Sequence, residues 1–102
     1  MLLLILLRIY STHKEMKSMT ETELKLLLAR YNMLSKERAE AAYMWRHSGE
    51  SVCYESRWLK YVDEMEKIDD DLREHGYKFA FTDFKKVGKF QYQVYKIVPV
   101  NS

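Results

Sequence analysis

The densest group of potential metal ligands in this sequence lies between Asp63 and Glu74, where seven of the twelve residues are carboxylates. Carboxylate oxygens are the ligands that Ca²⁺ and Mg²⁺ prefer. The segment has helical periodicity, however, and successive side chains on a helix point about 100° apart. Three consecutive aspartates, Asp69, Asp70 and Asp71, therefore cannot converge on one ion. We predict no metal site in this segment.

The same stretch is better explained as an exposed acidic ridge. Asp63 with Lys67, and Asp69 with Arg73, have the i,i+4 spacing of ion pairs on a helix surface. A rigid row of carboxylates can also imitate the phosphate backbone for a partner that binds nucleic acid. We assign four of these carboxylates as candidate partner-binding residues and call them the acidic ridge: Asp63, Glu66, Asp70 and Glu74.

A second candidate site combines lysines with aromatic rings near the C terminus. Residues 77–102 carry five Lys and one Asp, although the whole chain has a net charge of only +2. Rings that stack on bases, next to cations that contact phosphates, are what single-stranded nucleic-acid binding requires. We favour the alternative that the rings form a core and the lysines protect an edge strand. If the segment does bind nucleic acid, the residues that we assign are Phe84, Lys85, Lys86 and Lys89.

No catalytic arrangement is present in the sequence. It contains no recognisable Ser/His/Asp set, no glycine-rich phosphate loop and no His/Cys spacing typical of zinc. We therefore predict a protein without catalytic residues, metal or cofactor, and not an enzyme. The single cysteine, Cys53, excludes an internal disulfide and favours a reducing, cytoplasmic location.

Two helices must position these side chains. Apolar residues recur at alternating intervals of three and four on both sides of residues 48–51, and the two rows mirror each other. This spacing is typical of coiled-coil-like packing, and the common centre predicts an antiparallel helical hairpin over about 20–47 and 52–75. The facing pairs are Trp45 with Tyr54, Ala41 with Trp58, Arg38 with Tyr61, Leu34 with Met65, Tyr31 with Ile68, Leu27 with Leu72 and Leu24 with His75.

The ends of these helices carry their own signals. Thr20 and Glu23 have the spacing of a capping box at the start of the first helix. Gly76 is suited to the left-handed conformation that ends the second helix. Arg38 is the one charged position in the two rows, and we expect its stem to pack on Tyr61 while its guanidinium reaches solvent or a nearby Glu.

After Gly76 the apolar period changes from 3.6 to 2, which predicts strands over about 77–82 and 90–98 with a turn over 83–89. A phase shift at Tyr95 indicates a bulge there. The fold class is therefore α+β, a helical hairpin followed by an antiparallel β-hairpin. We expect the sheet to cover a flank of the helices that includes Leu59.

The first residues are of a different kind. Met1–Leu7 is a short apolar run, too short to cross a bilayer, and no cleavage signal follows it. Because the helix-start signature at Thr20 is complete, we predict that 1–18 is a hydrophobic extension outside the fold and that 19–102 forms one domain. We expect no membrane association of that domain.

Function is predicted from surfaces alone. Leu26, Met33 and Met44 lie away from the helix seam and form an apolar strip, which is typical of a partner site if nothing covers it. We favour a small non-enzymatic module that binds another protein through its helical hairpin, an adaptor or inhibitor of the kind that mobile elements encode. The alternative is nucleic-acid binding by the basic hairpin. A homodimer through a sheet edge is a further hypothesis, with the strand carrying Gln91 and Gln93 as the pairing edge.

Overall fold

The computed structural model describes residues 19–48 and 51–101. Helix α1 spans Glu21–His47 and helix α2 spans Ser51–Glu74. They are followed by strand β1, Tyr77–Val87, and strand β2, Phe90–Pro99, which form one two-stranded antiparallel sheet. The predicted α+β class is confirmed, with both helix boundaries within one residue of the predicted ones. The predicted N-terminal extension, 1–18, lies outside the described residues.

The predicted helix ends are confirmed. Thr20 Oγ1 accepts a hydrogen bond from the Glu23 backbone N–H at 3.1 Å, and the Thr20 N–H donates to Glu23 Oε1 at 3.3 Å. This reciprocal capping box satisfies two N–H groups that a helix start leaves without partners. At the other end, Gly76 has φ +87°, a conformation that glycine adopts without steric cost.

The core lies along the predicted helix seam. Among the residues that the structure describes, four apolar side chains are buried, and all four are seam positions: Leu34, Ala41, Met65 and Leu72. The rings of Trp45 and Trp58, which belong to neighbouring layers of the predicted seam, are 6.3 Å apart. Alternation of large and small side chains is what lets two helices pack closely.

The β-hairpin is longer and its turn tighter than the sequence predicted. β1 continues to Val87, which pairs with Phe90, so that Gly88 and Lys89 alone form the turn. The prediction of a turn over 83–89 is wrong because a bulge between Phe81 and Asp83 interrupts the alternation without ending the strand. The bulge lies in β1, opposite the Tyr95 position where the phase shift was expected in β2.

The sheet packs mainly on α1, with β2 next to the helix. The Asn32 side chain bonds the backbone of Tyr95 twice: Nδ2 donates to the Tyr95 carbonyl at 3.1 Å, and Oδ1 accepts from the Tyr95 N–H at 2.8 Å. The buried Ser35 hydroxyl donates to the Gln93 carbonyl at 2.6 Å. Helix side chains thus occupy the part of the strand edge where a neighbouring strand would bind.

We call the hydrogen bonds of Asn32 and Ser35 to the β2 backbone the polar clasp. The polar clasp corrects two predictions. A second copy cannot pair with β2 at Gln93 and Tyr95, so a homodimer through the sheet stays a prediction restricted to the outer edge of β1. The sheet also leaves Leu59 of α2 uncovered, with 53% of its surface exposed, because β1 contacts α2 only slightly.

Tyr31 joins the seam to the sheet. Its ring stacks on Phe79 with centroids 3.7 Å apart and planes 6° apart, and it meets the Tyr95 ring edge-on at 5.0 Å. Burial, with smaller contributions from Tyr95 and Asp69, raises the pKa of Tyr31 to about 12. Tyr31 is therefore a neutral phenol over the whole physiological range.

Candidate interaction surfaces

The apolar strip is open along most of its length. Leu26 is 66% exposed and Met33 46% exposed. Because the sheet contacts α1 through Asn32 and Ser35, and Met33 points roughly to the other side of the helix, the strip faces away from the sheet. Met44 is half-buried at the end of the strip.

A shallow depression between the helices adjoins the strip at Met44. The Arg57 guanidinium there lies 5.7 Å from the centre of the Tyr54 ring. Farther along, Arg30 Nη2 bridges the helices to Glu64 Oε2 at 2.7 Å. The depression is lined by Glu37, Glu40, Ala41, Met44, Tyr54, Arg57 and Tyr61.

The acidic ridge does not join this surface. All four of its residues are exposed, and helical spacing places them on the side of α2 opposite the buried seam residues Met65 and Leu72. The expected i,i+4 ion pairs are present, Lys67 with Asp63 at 3.1 Å and Arg73 with Asp69 at 2.9 Å. The seven candidate partner-binding residues therefore form two separate surfaces, and one compact partner cannot cover both at once.

Arg38 is directed to the sheet and not to solvent or a glutamate. Its Nη2 donates to Gln93 Oε1 at 3.4 Å, and the Tyr95 hydroxyl donates to the same oxygen. The prediction that the guanidinium reaches solvent or a Glu is wrong, because its polar partner comes from β2. The packing of its stem on Tyr61 stays a prediction. The Gln93 side chain is thus held toward α1, where it adds to the contacts of Asn32 and Ser35.

A groove of about 510 Å³ opens between the C-terminal turns of α1 and the tip of the β-hairpin. We call it the tip groove. It brings together two of the four residues predicted for nucleic-acid binding, Phe84 and Lys89. Its lining is Ala39, Ala42, Tyr43, Arg46, His47, Phe84, Lys89, Phe90 and Gln91.

Strand alternation separates the other two predicted lysines. Lys86 pairs with Gln91 and Phe84 pairs with Gln93, so both side chains lie on the face of the sheet that carries Gln91. Lys85 pairs with Tyr92 on the opposite face. Lys86 therefore extends the side chains of the tip groove, and Lys85 does not.

The contribution of α1 to this groove was not predicted from the sequence. Ala39, Tyr43 and Arg46 follow one another at intervals of four and three, which puts them on one helix face. That spacing was visible in the sequence. It does not indicate a groove, however, unless the sheet is known to pack beside this face of the helix. His47 adds a ring 4.3 Å from Tyr43.

A membrane-spanning helix, a metal site or a similar known protein would each have indicated a function. Within residues 19–48 and 51–101, no helix is both long and apolar enough to cross a membrane. No group of three His, Cys, Asp or Glu side chains in the same part of the chain could hold a metal ion. No protein-family model matches the sequence, and no curated protein or solved structure is significantly similar to it.

Proposed function

We propose that this protein is a non-enzymatic binding module that docks on another protein through the apolar strip of its helical hairpin. The observation that carries the proposal is the exposure of Leu26 and Met33, 66% and 46%, on the side of α1 that neither α2 nor the sheet covers. Large apolar side chains in one row on a rigid helix are typical of a surface that a partner buries.

The geometry favours a helix as the partner element. From Leu26 to Met44 the strip extends over 18 residues, about 27 Å of helix at 1.5 Å per residue. An amphipathic helix of about five turns fits this length and would present its own apolar residues at i, i+3 or i+4, and i+7.

The charged residues next to the strip indicate which charges the partner helix carries beside its apolar row. Glu37 and Glu40 line the depression beside Met44, and neither forms an ion pair within the described chain. Arg57 is the one basic residue of the same lining. Basic residues that flank the apolar row of the partner helix would therefore face these glutamates. Such charge complementarity increases specificity and the association rate more than it increases affinity.

The test is a site-specific crosslink. A photoreactive amino acid in place of Met33 should give one discrete adduct in nuclease-treated native lysate. The same group in place of Ser56, an exposed residue of α2, should not. Leu26→Glu should abolish the adduct at position 33 while the thermal unfolding curve stays unchanged, because Leu26 is not part of the core. Adducts of equal yield from positions 33 and 56, or an adduct that nuclease removes, would contradict the proposal.

The acidic ridge gives the competing arm of this test. If the partner binds there instead, the photoreactive group at position 33 should give no adduct, whereas the same group in place of Lys67, an exposed neighbour of the ridge, should give one. Reversing the charge of Asp63, Glu66, Asp70 and Glu74 should then remove that adduct, and Leu26→Glu should not. The ridge is exposed throughout, so neither variant removes core packing.

A further inference from the structure

We propose that the tip groove binds single-stranded nucleic acid, with Phe84 as the stacking ring and Arg46, Lys86 and Lys89 as the phosphate contacts. This site lies on the flank of α1 that carries the sheet, away from Leu26 and Met33. It therefore does not depend on the docking surface proposed above.

The rings are available for stacking. Phe84 is 52% exposed although its backbone is paired within the sheet, and its ring lies 5.0 Å from that of Phe81, which is exposed to a similar extent. Across the groove, Tyr43 lies 6.2 Å from Phe90. A base placed on Phe84 would bury a ring face that the fold leaves in water, and such stacking tolerates any base.

The charge of the groove suits a phosphate backbone. No Asp or Glu belongs to the lining, whereas Arg46, His47 and Lys89 do. Within 19–48 and 51–101, Arg46, Lys86 and Lys89 form no ion pair with another residue. The C-terminal end of α1 contributes about half a negative charge, which these three cations exceed.

The shape favours a single strand over other anions. Phe81, Phe84 and Lys86 lie on one face of β1 and continue the groove along the strand for about 15 Å. A mononucleotide would occupy only part of this path. A duplex hides the faces of its bases, and an acidic peptide would use the cations without the rings.

The experiment measures binding of labelled dT and rU oligonucleotides of about 12 nucleotides by fluorescence anisotropy. Affinity should fall between about 50 mM and about 200 mM salt with a log–log slope of about −2, because each of three phosphate contacts contributes about −0.7. Phe84→Ala should weaken binding about 5- to 160-fold at both salt concentrations, since stacking is not screened. The matched control is Leu59→Ala, which removes an equally exposed apolar side chain on α2 and should change nothing.

The lysines provide a test that depends on the fold. Lys86→Ala and Lys89→Ala should each make the slope shallower by about 0.7. Lys85→Ala should do so much less, because Lys85 is on the other face of the hairpin. Lys60→Ala, an exposed charge on α2, is the control for net charge. Equal effects of Lys85 and Lys86 would mean nonspecific attraction to the basic hairpin and would overturn the site.

Further outcomes decide the ligand class. Absence of binding at the lower salt concentration would overturn the proposal. The proposal would also be overturned if a polyglutamate peptide or a mononucleotide competed as effectively, molecule for molecule, as the unlabelled oligonucleotide. Leu26→Glu should leave oligonucleotide binding intact, so that failure of the docking surface and failure of the tip groove can be told apart.

Discussion

Helix α1 packs against two neighbours by two different kinds of chemistry. Toward α2 it presents Leu34 and Ala41, which are buried against the apolar seam of the other helix. Toward β2 it presents Asn32 and Ser35, whose polar atoms bond the strand backbone directly. The first interface is a helix seam, and the second resembles the pairing of a strand with one more strand.

The two interfaces specify structure differently. Apolar burial is roughly proportional to area and is non-directional, so the seam stabilises the hairpin but tolerates small shifts. The two hydrogen bonds of Asn32 go to one residue, Tyr95. A shift of β2 by one residue would turn those backbone groups away from the helix. We infer that the polar clasp sets the register of the sheet on the helices.

The largest effect is therefore expected from removing the clasp. Asn32→Leu should lower the free energy of unfolding by about 2–4 kcal/mol, because it leaves the N–H and the carbonyl of Tyr95 without partners. Both groups are only partly buried, so each costs about 1–2 kcal/mol, the lower part of the range for an unsatisfied group. Urea unfolding measures the loss, and hydrogen exchange at the Tyr95 amide should become fast. Ala29→Leu, at an exposed position of α1, is the control for added apolar bulk. A protected Tyr95 amide in the Asn32 variant would show that the clasp does not hold the strand.

The second largest effect tests the seam. Ala41→Trp should lower the free energy of unfolding by about 1–3 kcal/mol, because the predicted pairing sets this buried small residue opposite the wide ring of Trp58 and overpacking forces strained rotamers. Ala41 is buried, whereas Ala29 is exposed on the same helix. Ala29→Trp should thus be close to neutral in the same thermal and urea measurements. Equal stability of the two tryptophan variants would mean that the facing pairs are wrong.

The seam could be predicted from sequence because its signal is periodic. Leu34, Ala41, Met65 and Leu72 recur at heptad intervals, and the mirror symmetry of the two rows predicted that the helices form an antiparallel hairpin. Capping at Thr20 and the glycine at 76 were predictable for the same kind of reason, since each depends on residues within one turn of the chain.

The sheet contact could not be predicted because its signal is not periodic. In the sequence, Asn32 and Ser35 are ordinary polar residues of a helix surface. Their partners, Tyr95 and Gln93, are 63 and 58 residues away in the chain and come next to them only in the folded structure. The bulge before Asp83 hid the true length of β1 for a related reason, since an extra residue reverses the alternation that a strand prediction uses. The composition of the tip groove depends on both features.

Tyr31 belongs to both interfaces. Its substitution is expected to have the smallest effect on stability at neutral pH, and an effect that grows as the pH rises. Its folded pKa of about 12 lies above the value of about 10 for an unfolded tyrosine. The folded protein therefore keeps a proton that the unfolded chain loses. The corresponding stability is complete below about pH 10 and declines as pH rises toward about 12.

Tyr31→Phe should keep the stack on Phe79 and remove this alkaline decline. Urea unfolding should give nearly equal stabilities for the variant and the wild type at neutral pH, and a growing advantage of the variant above about pH 10. In a spectrophotometric titration of the eight tyrosines, one should ionise at about pH 12 in the wild type and be absent from the variant. If every tyrosine ionised near pH 10, water would reach the junction between seam and sheet. The two interfaces would then be separate structures instead of one continuous packed region.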